Sequence, residues 1–227
     1  MLARVYAEKL QQRWGQSVIV DAKPGATGGP IMVARANAPY SNISEFVEFA
    51  KRQPKPLSYG TWGTGSSAHL FTELLQRQTG IKVLHAPYTA EAAVHNDLFG
   101  DSLDFAWANP STARGYVQAG KMKVLGVTGT HRLSGSPTVP TFAEQGFQGF
   151  DIDSWLGVYA PAKLPQPVVE AWMSALRDIT RMPDVSAKLV AFGLEPLVNT
   201  PAQFAEAFKA DYPRVAELIK AAGVTAE

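Results

Sequence analysis

Tyr59-Gly60-Thr61-Trp62-Gly63-Thr64-Gly65-Ser66-Ser67-Ala68-His69-Leu70 takes a short strand through a glycine-rich loop into a helix whose buried face carries Leu70, Leu74 and Leu75. The same switch recurs downstream. Apolar β-like runs over residues 57–62, 82–86, 103–107 and 124–128 each end in a Gly, Pro or Asn turn, and helix-period residues fill the gaps between them. This βαβα order predicts an α/β unit with a parallel sheet. Gly80, Gly100 and Gly120 fall near the ends of the three intervening helices, where a left-handed residue is expected. Upstream, Asn42 and Glu45 stand at capping-box spacing before Phe46 and Val47, so a further helix leads into the first strand.

The chain has 227 residues, enough for one large domain or two lobes. Lys and Arg number 21 against 20 Asp and Glu, so no global field attracts nucleic acid or anionic lipid, and no nucleic-acid partner is expected. A hydrophobic share of 46% with 18% charged residues excludes disorder. The absence of Cys excludes disulfides and thiolate chemistry. No apolar run is long enough for a membrane span, and no signal peptide is read at Met1-Leu2-Ala3-Arg4.

The ends differ from the middle. Helical spacing covers residues 2–14, a brief strand is expected at 18–20 and a Gly/Pro loop at 23–30. Three helices follow the apolar run at 155–160: 167–179, 183–192 closed by Gly193, and 201–222 opened by Thr200 and Gln203 as a capping box and closed by Gly223. A helical layer needs a sheet to cover, so we read two lobes, residues 1–33 with 150–227 and residues 34–149, the chain crossing near 31–37 and 141–151.

In the central loop, Gly63 and Gly65 let backbone N–H groups approach a ligand, and Ser66 or Ser67 can cap the helix; together they make an anion site or simply a capped turn. The pattern also matches a dinucleotide fingerprint. The ribose-binding acid is missing, however, since Leu84, His85 and Ala86 stand where it belongs, and no P-loop Lys follows. A Ser66/His69 hydrolase with Asp104 lacks the nucleophile elbow. No His pairs with a second ligand at metal spacing, and neither metal nor cofactor is expected. His95 reads as a solvated helix residue and His69 as the histidine that touches a ligand. The loops at Pro87-Tyr88-Thr89 and Asn109-Pro110-Ser111-Thr112 fall at the same sheet edge if the strands are parallel, with Thr89 and Asn109 or Ser111 also serving as helix caps.

These motifs in order, with Gly120-Lys121, Val139-Pro140-Thr141, Ala143-Glu144, Gly146, Trp155 and Gly157, resemble the Bug (TctC-like) family of periplasmic solute receptors for tripartite tricarboxylate transport systems. The resemblance implies a two-lobed clamp of the periplasmic binding protein type, non-enzymatic, which grips a small carboxylate and delivers it to membrane permease subunits. Carried over, it places the carboxylate on Trp62, Gly63, Thr64, Gly65, Ser66, Ser67 and His69, with Pro87, Tyr88, Asn109 and Ser111 closing the far wall. Trp107 and Ala108 stand where many relatives have an acidic residue that holds an ammonium, which points away from amino-acid ligands. Against the family pattern the chain lacks a first strand and a segment near Gly29. The first lobe should then be incomplete, with apolar faces at Leu2, Val5, Trp172 or Leu176 uncovered unless residues beyond the given chain or a dimer partner cover them. A hydrolase and a degenerate sensing or scaffolding receptor are the alternative readings.

Overall fold

The computed structural model describes residues 2–18, 29–133, 135–152, 157–191, 194, 196 and 198–223. Strands β1 (Ile31–Arg35), β2 (Leu57–Thr61), β3 (Val83–Pro87), β4 (Phe105–Ala108) and β5 (Met122–Val127) form one sheet in the order β3-β2-β4-β1-β5. The four strands read from the sequence all run the same way. The sheet is nonetheless mixed, because β1 enters its middle antiparallel to both β4 and β5. Residues 31–37 were expected only as a crossing. They form a strand because Ile31-Met32-Val33-Ala34 is an unbroken apolar run, suited to burial on both faces, and all four residues are at most 2% exposed.

Alternation along the strands divides the core. Met32, Ala34, Leu57, Tyr59, Phe105, Trp107 and Leu125 pack under α2 (Ile43–Lys51) and α3 (Ser67–Thr79), together with Phe142 and Phe150. Ile31, Val33, Ala106 and Ala108 pack under α4 (Glu91–Phe99) and α5 (Pro110–Gln118). Trp107 is fully buried, and its indole N–H donates to Thr72 Oγ1 at 2.7 Å, so the largest side chain of the core carries no unpaired donor.

Helix ends follow the sequence with one displacement. Gly80 and Gly120 are left-handed, at φ 74° and 65°. Gly100 is not, at φ −85°, because its N–H still bonds Asn96 O; the left-handed step falls on Asp101, at φ 60°. Asn42 caps α2 by accepting from Glu45 N at 2.8 Å, while the Glu45 carboxylate takes Ser41 N instead of closing the box.

α1 (Leu2–Trp14), α6 (Gln166–Arg181) and α7 (Pro183–Ala191) make a separate cluster around Leu10, Ala175, Ile179, Val185 and Leu189. Trp172, expected to be uncovered, meets Trp14 edge-on with ring centroids 4.7 Å apart, and Val5 packs on the same cluster. Among the described residues the three helices bury one another's apolar stripes directly. Residues 19–28 lie outside the described residues, as do 153–156 and Gly193, so residues 19–20 of the expected strand, 23–28 of the Gly/Pro loop and 155–156 of the apolar run fall there. α8 (Pro201–Ala221), opened by the expected Thr200/Gln203 capping box, joins the central unit: Leu218 packs on the core beneath α3, and Arg214 pairs with Asp151 at 2.5 Å.

Two glycines test this packing. A Cβ on Gly60 would stand 2.7 Å from both Val94 and Leu103, so Gly60→Ala should cost about 1–3 kcal/mol by overpacking. Gly115 lies inside α5 with open space around it, and Gly115→Ala should stabilise by roughly 0.5–1 kcal/mol. Urea unfolding of both variants checks the pair of opposite signs.

Candidate functional site

Because β2, β3 and β4 are parallel, the loops that follow them emerge at one edge of the sheet, the carboxyl edge where open α/β sheets take ligands. The loop after β2 is held from within. Gly63 and Gly65 take φ of 127° and 76°, a path open to glycine at little cost. Ser66 is the N-cap of α3: its hydroxyl accepts from His69 N at 3.4 Å and donates to Gly63 O at 2.7 Å. Gly65 N donates to His69 Nδ1 at 3.0 Å, and Gly63 N donates to Thr61 Oγ1 at 3.3 Å. Both glycine amides are therefore engaged, and the glycines shape the loop rather than offering free donors.

The unfilled donors lie beside them. Ser67 and Ala68 are the first two residues of α3, whose N–H groups have no partner within the helix, and Thr64 N has no backbone acceptor among the described residues. Thr64 is exposed and Ser67 half-buried, and among the described residues neither hydroxyl makes a hydrogen bond. Added to the positive end of the α3 dipole, these groups are a set of neutral donors with the chemistry to take an anion. Trp62 is half-buried and packs on the core next to them.

Behind the loop stands a column of rings. His69 and His85 stack with centroids 4.3 Å apart and planes 9° from parallel; His85 stacks on Tyr59 at 4.9 Å, and Tyr59 on Phe105 at 5.1 Å. His85 Nε2 is 2.7 Å from Thr61 Oγ1, which braces the Gly63 turn. Burial lowers the His85 pKa to about 4, assisted by His69; burial also lowers His69, against an opposing pull from Glu73. Both rings are neutral at pH 7. Only a neutral His69 can keep the lone pair that receives Gly65 N–H.

The remaining expected residues divide. Pro87 is exposed, and Tyr88, half-buried, donates its hydroxyl to Asp97 Oδ2 at 2.5 Å. Neither Thr89 nor Asn109 caps a helix with its side chain: Ala90 occupies the α4 N-cap, and Asn109, at the α5 N-cap, gives both N and Nδ2 to the carboxylate of Glu91 at 2.6 Å. Ser111 is half-buried on the first turn of α5. His95 is not solvated. At 2% exposure it lies between α4 and α5, edge-on to Tyr116, because α4 turns Val94, His95 and Leu98 inward together. The hydrolase constellation does not assemble: the Ser66 proton points at Gly63 O, and Asp104 accepts from Ser58 N and Oγ near the start of β2. Glu91 and the Thr61–His85 brace went unread, since each works through a partner from a different loop or strand.

A family model described as the tripartite tricarboxylate transporter family receptor matches residues 27–224. A protein encoded in the tcbD-tcbE intergenic region of Pseudomonas sp. strain P51 is 31% identical over 195 residues, covering 86% of this chain and 58% of that protein. The chain thus spans little more than half the length of this curated relative. Among solved structures, Rpa4515 of R. palustris with adipate superposes with a TM-score of 0.85 at 23% identity, covering 99% of this chain and 93% of that one. The periplasmic binding protein BugD does so with a TM-score of 0.81 at 25% identity, covering 100% and 93%.

The histidine column makes acid stability a readout. Histidines whose pKa is lowered on folding contribute stability that is complete above their unfolded value near 6.5 and is lost as pH falls. Unfolding free energy should therefore decline from about pH 6.5 down to the His85 value of about 4. In His85→Phe, which keeps a stacked ring, urea titrations across this range should give a flatter dependence.

Proposed function

The chain belongs to the tripartite tricarboxylate transporter receptor family, a family of non-enzymatic binding proteins, and we propose that it is an extracytoplasmic receptor that grips a small organic carboxylate at the N-terminus of α3 and delivers it to membrane permease subunits. The observation that carries this reading is the α3 terminus itself, with Thr64, Ser67 and Ala68 amides unfilled, the Thr64 and Ser67 hydroxyls adjacent, and no Lys or Arg from residue 56 to 76. Neutral donors at a helix dipole suffice for a carboxylate that must later be released. Rpa4515, which shares the fold, was solved with adipate, a ligand of the same chemical class.

The clamp we propose has α1, α6 and α7 in one lobe and residues 34–149 in the other, with all of β1 and the packed face of α8 joined to the second. Two chain passages lie together at the end of β5: Thr128 N and Oγ1 donate to Pro30 O at 3.3 and 2.8 Å, and Gly129 N donates to Phe150 O at 2.8 Å. Two adjacent passages are what a hinge between lobes requires. Periplasmic location is part of the same proposal; among the described residues no helix is long and apolar enough to cross a membrane.

A thermal-shift screen of mono- and dicarboxylates should find stabilising ligands, by mass action on the folded state. Ser67→Ala should weaken the best of them by about 0.5–1.5 kcal/mol, the net worth of one hydrogen bond. Stabilisation by NAD or ATP with no response to any carboxylate would overturn the assignment.

A further inference from the structure

His69 fastens the loop before α3 from two sides. Its Nδ1 accepts the Gly65 N–H at 3.0 Å, and Gly65 takes a φ of 76° at that point. Its own backbone N–H donates to the Ser66 hydroxyl at 3.4 Å, which closes the cap. The turn that carries Thr64 and leads into Ser67 is thus tied to one residue at both of these bonds. Nδ1 can hold Gly65 only as an acceptor. A proton on that nitrogen would set one donor against another, and the Gly65 amide would lose its partner.

The surroundings decide which ring protonates first. His69 is 9% exposed and stacks on His85 with centroids 4.3 Å apart, a separation at which two charged rings repel. Among the described residues, the titratable groups around His69 are Glu73 on α3 and His85 on β3, with Tyr59 of β2 behind His85. Burial, assisted by His69, lowers the His85 pKa to about 4, and burial raises that of Tyr59, so both stay neutral in mild acid. His69 is also lowered by burial, but the Glu73 carboxylate pulls the other way, with Oε1 3.8 Å from Nε2. That oxygen is held in place by Gln76 Nε2 at 2.7 Å. Of the two stacked rings, His69 is therefore the one that takes the first proton.

We propose that His69 is a positioning residue of the carboxylate grip and makes it proton-sensitive: the loop keeps its ligand-ready form only while Nδ1 is bare, so a carboxylate is held near neutral pH and released on acidification. The inference rests on the carboxylate reading of the α3 terminus and adds how that site is controlled. The direction of the pH effect separates two roles. A histidine that only lent positive charge would bind an anion more tightly as pH falls, whereas one that holds the loop as an acceptor would bind it less tightly.

Calorimetric titration of the intact chain with butanoate, succinate and adipate, from about pH 8 to about pH 5.5, tests it. His69→Asn places Oδ1 where Nδ1 stands and takes no proton there, so its affinities serve as the reference that cancels the ionisation of each acid. Relative to that variant, wild-type affinity should fall at least about threefold over the range, the loss setting in below about pH 6.5. His69→Leu, which has no acceptor, should bind about tenfold more weakly than His69→Asn near pH 8, the loss of a pre-ordered loop. In the protein without any acid, nitrogen NMR should show the Nε2–H tautomer of His69 at neutral pH and a Gly65 amide shift that follows the His69 titration. If a variant does not fold, butanoate binding to wild type, corrected for its own ionisation, and the Gly65 shift decide between the two roles. A relative affinity that is flat or rises in acid, or a Gly65 amide indifferent to the His69 titration, overturns the role of His69 and leaves the α3 grip standing. Binding of none of the three acids at any pH overturns the grip and this inference together.

Discussion

Strand β1 holds the sheet together, since β4 and β5 are not paired with each other and each bonds to one side of it. Ile31 faces Ala108 on one side and Val127 on the other, so one short apolar run sets the register of the strand that leads to the Asn109 loop and of the strand that leads to the second passage. Burial on both faces makes that register specific, because a slip of one residue would exchange the two cores. At its far end Arg35 donates from Nη1 to Leu98 O and Leu103 O, tying the α4–β4 turn to the same strand. The position of the carboxyl edge thus depends on residues buried beneath it.

Around the α3 terminus the protein uses hydrogen bonds where a simpler design would use charge. The Gly63–Ser66 turn is held by the Ser66 cap, by His69 acting as an acceptor and by Thr61 braced on His85. Stacked neutral rings support it from behind. A loop pre-ordered in this way need not be organised by the ligand, which limits the entropy lost on binding. The arrangement also explains why the glycines matter although their amides are taken: their positive φ angles let the loop close on itself.

The two helix termini at this edge share one dipole physics and meet opposite fates. At α3 the cap residue is a serine turned back into its own loop, which leaves first-turn amides without a partner among the described residues. At α5 the cap residue turns its amide toward α4 and the anion is internal.

Much of this was legible in the sequence. The switch from strand to helix period around Gly63, the Ser66 cap, the Gly80 terminus and the Thr200/Gln203 box are local features written within a few residues, so spacing alone determines them. Parallel order among β2, β3, β4 and β5 followed from the intervening helices, which permit few other connections. What only the tertiary structure decided are the meetings of distant residues: β1 as the central antiparallel strand, Glu91 on Asn109, His69 on His85, and His95 buried against Tyr116. Sequence separation hides such pairs, because a hydrogen bond or a stacked ring depends on where two backbones are brought by everything else that packs. A capped turn needs only its own neighbours; a filled helix terminus needs the whole sheet to carry the carboxylate to it.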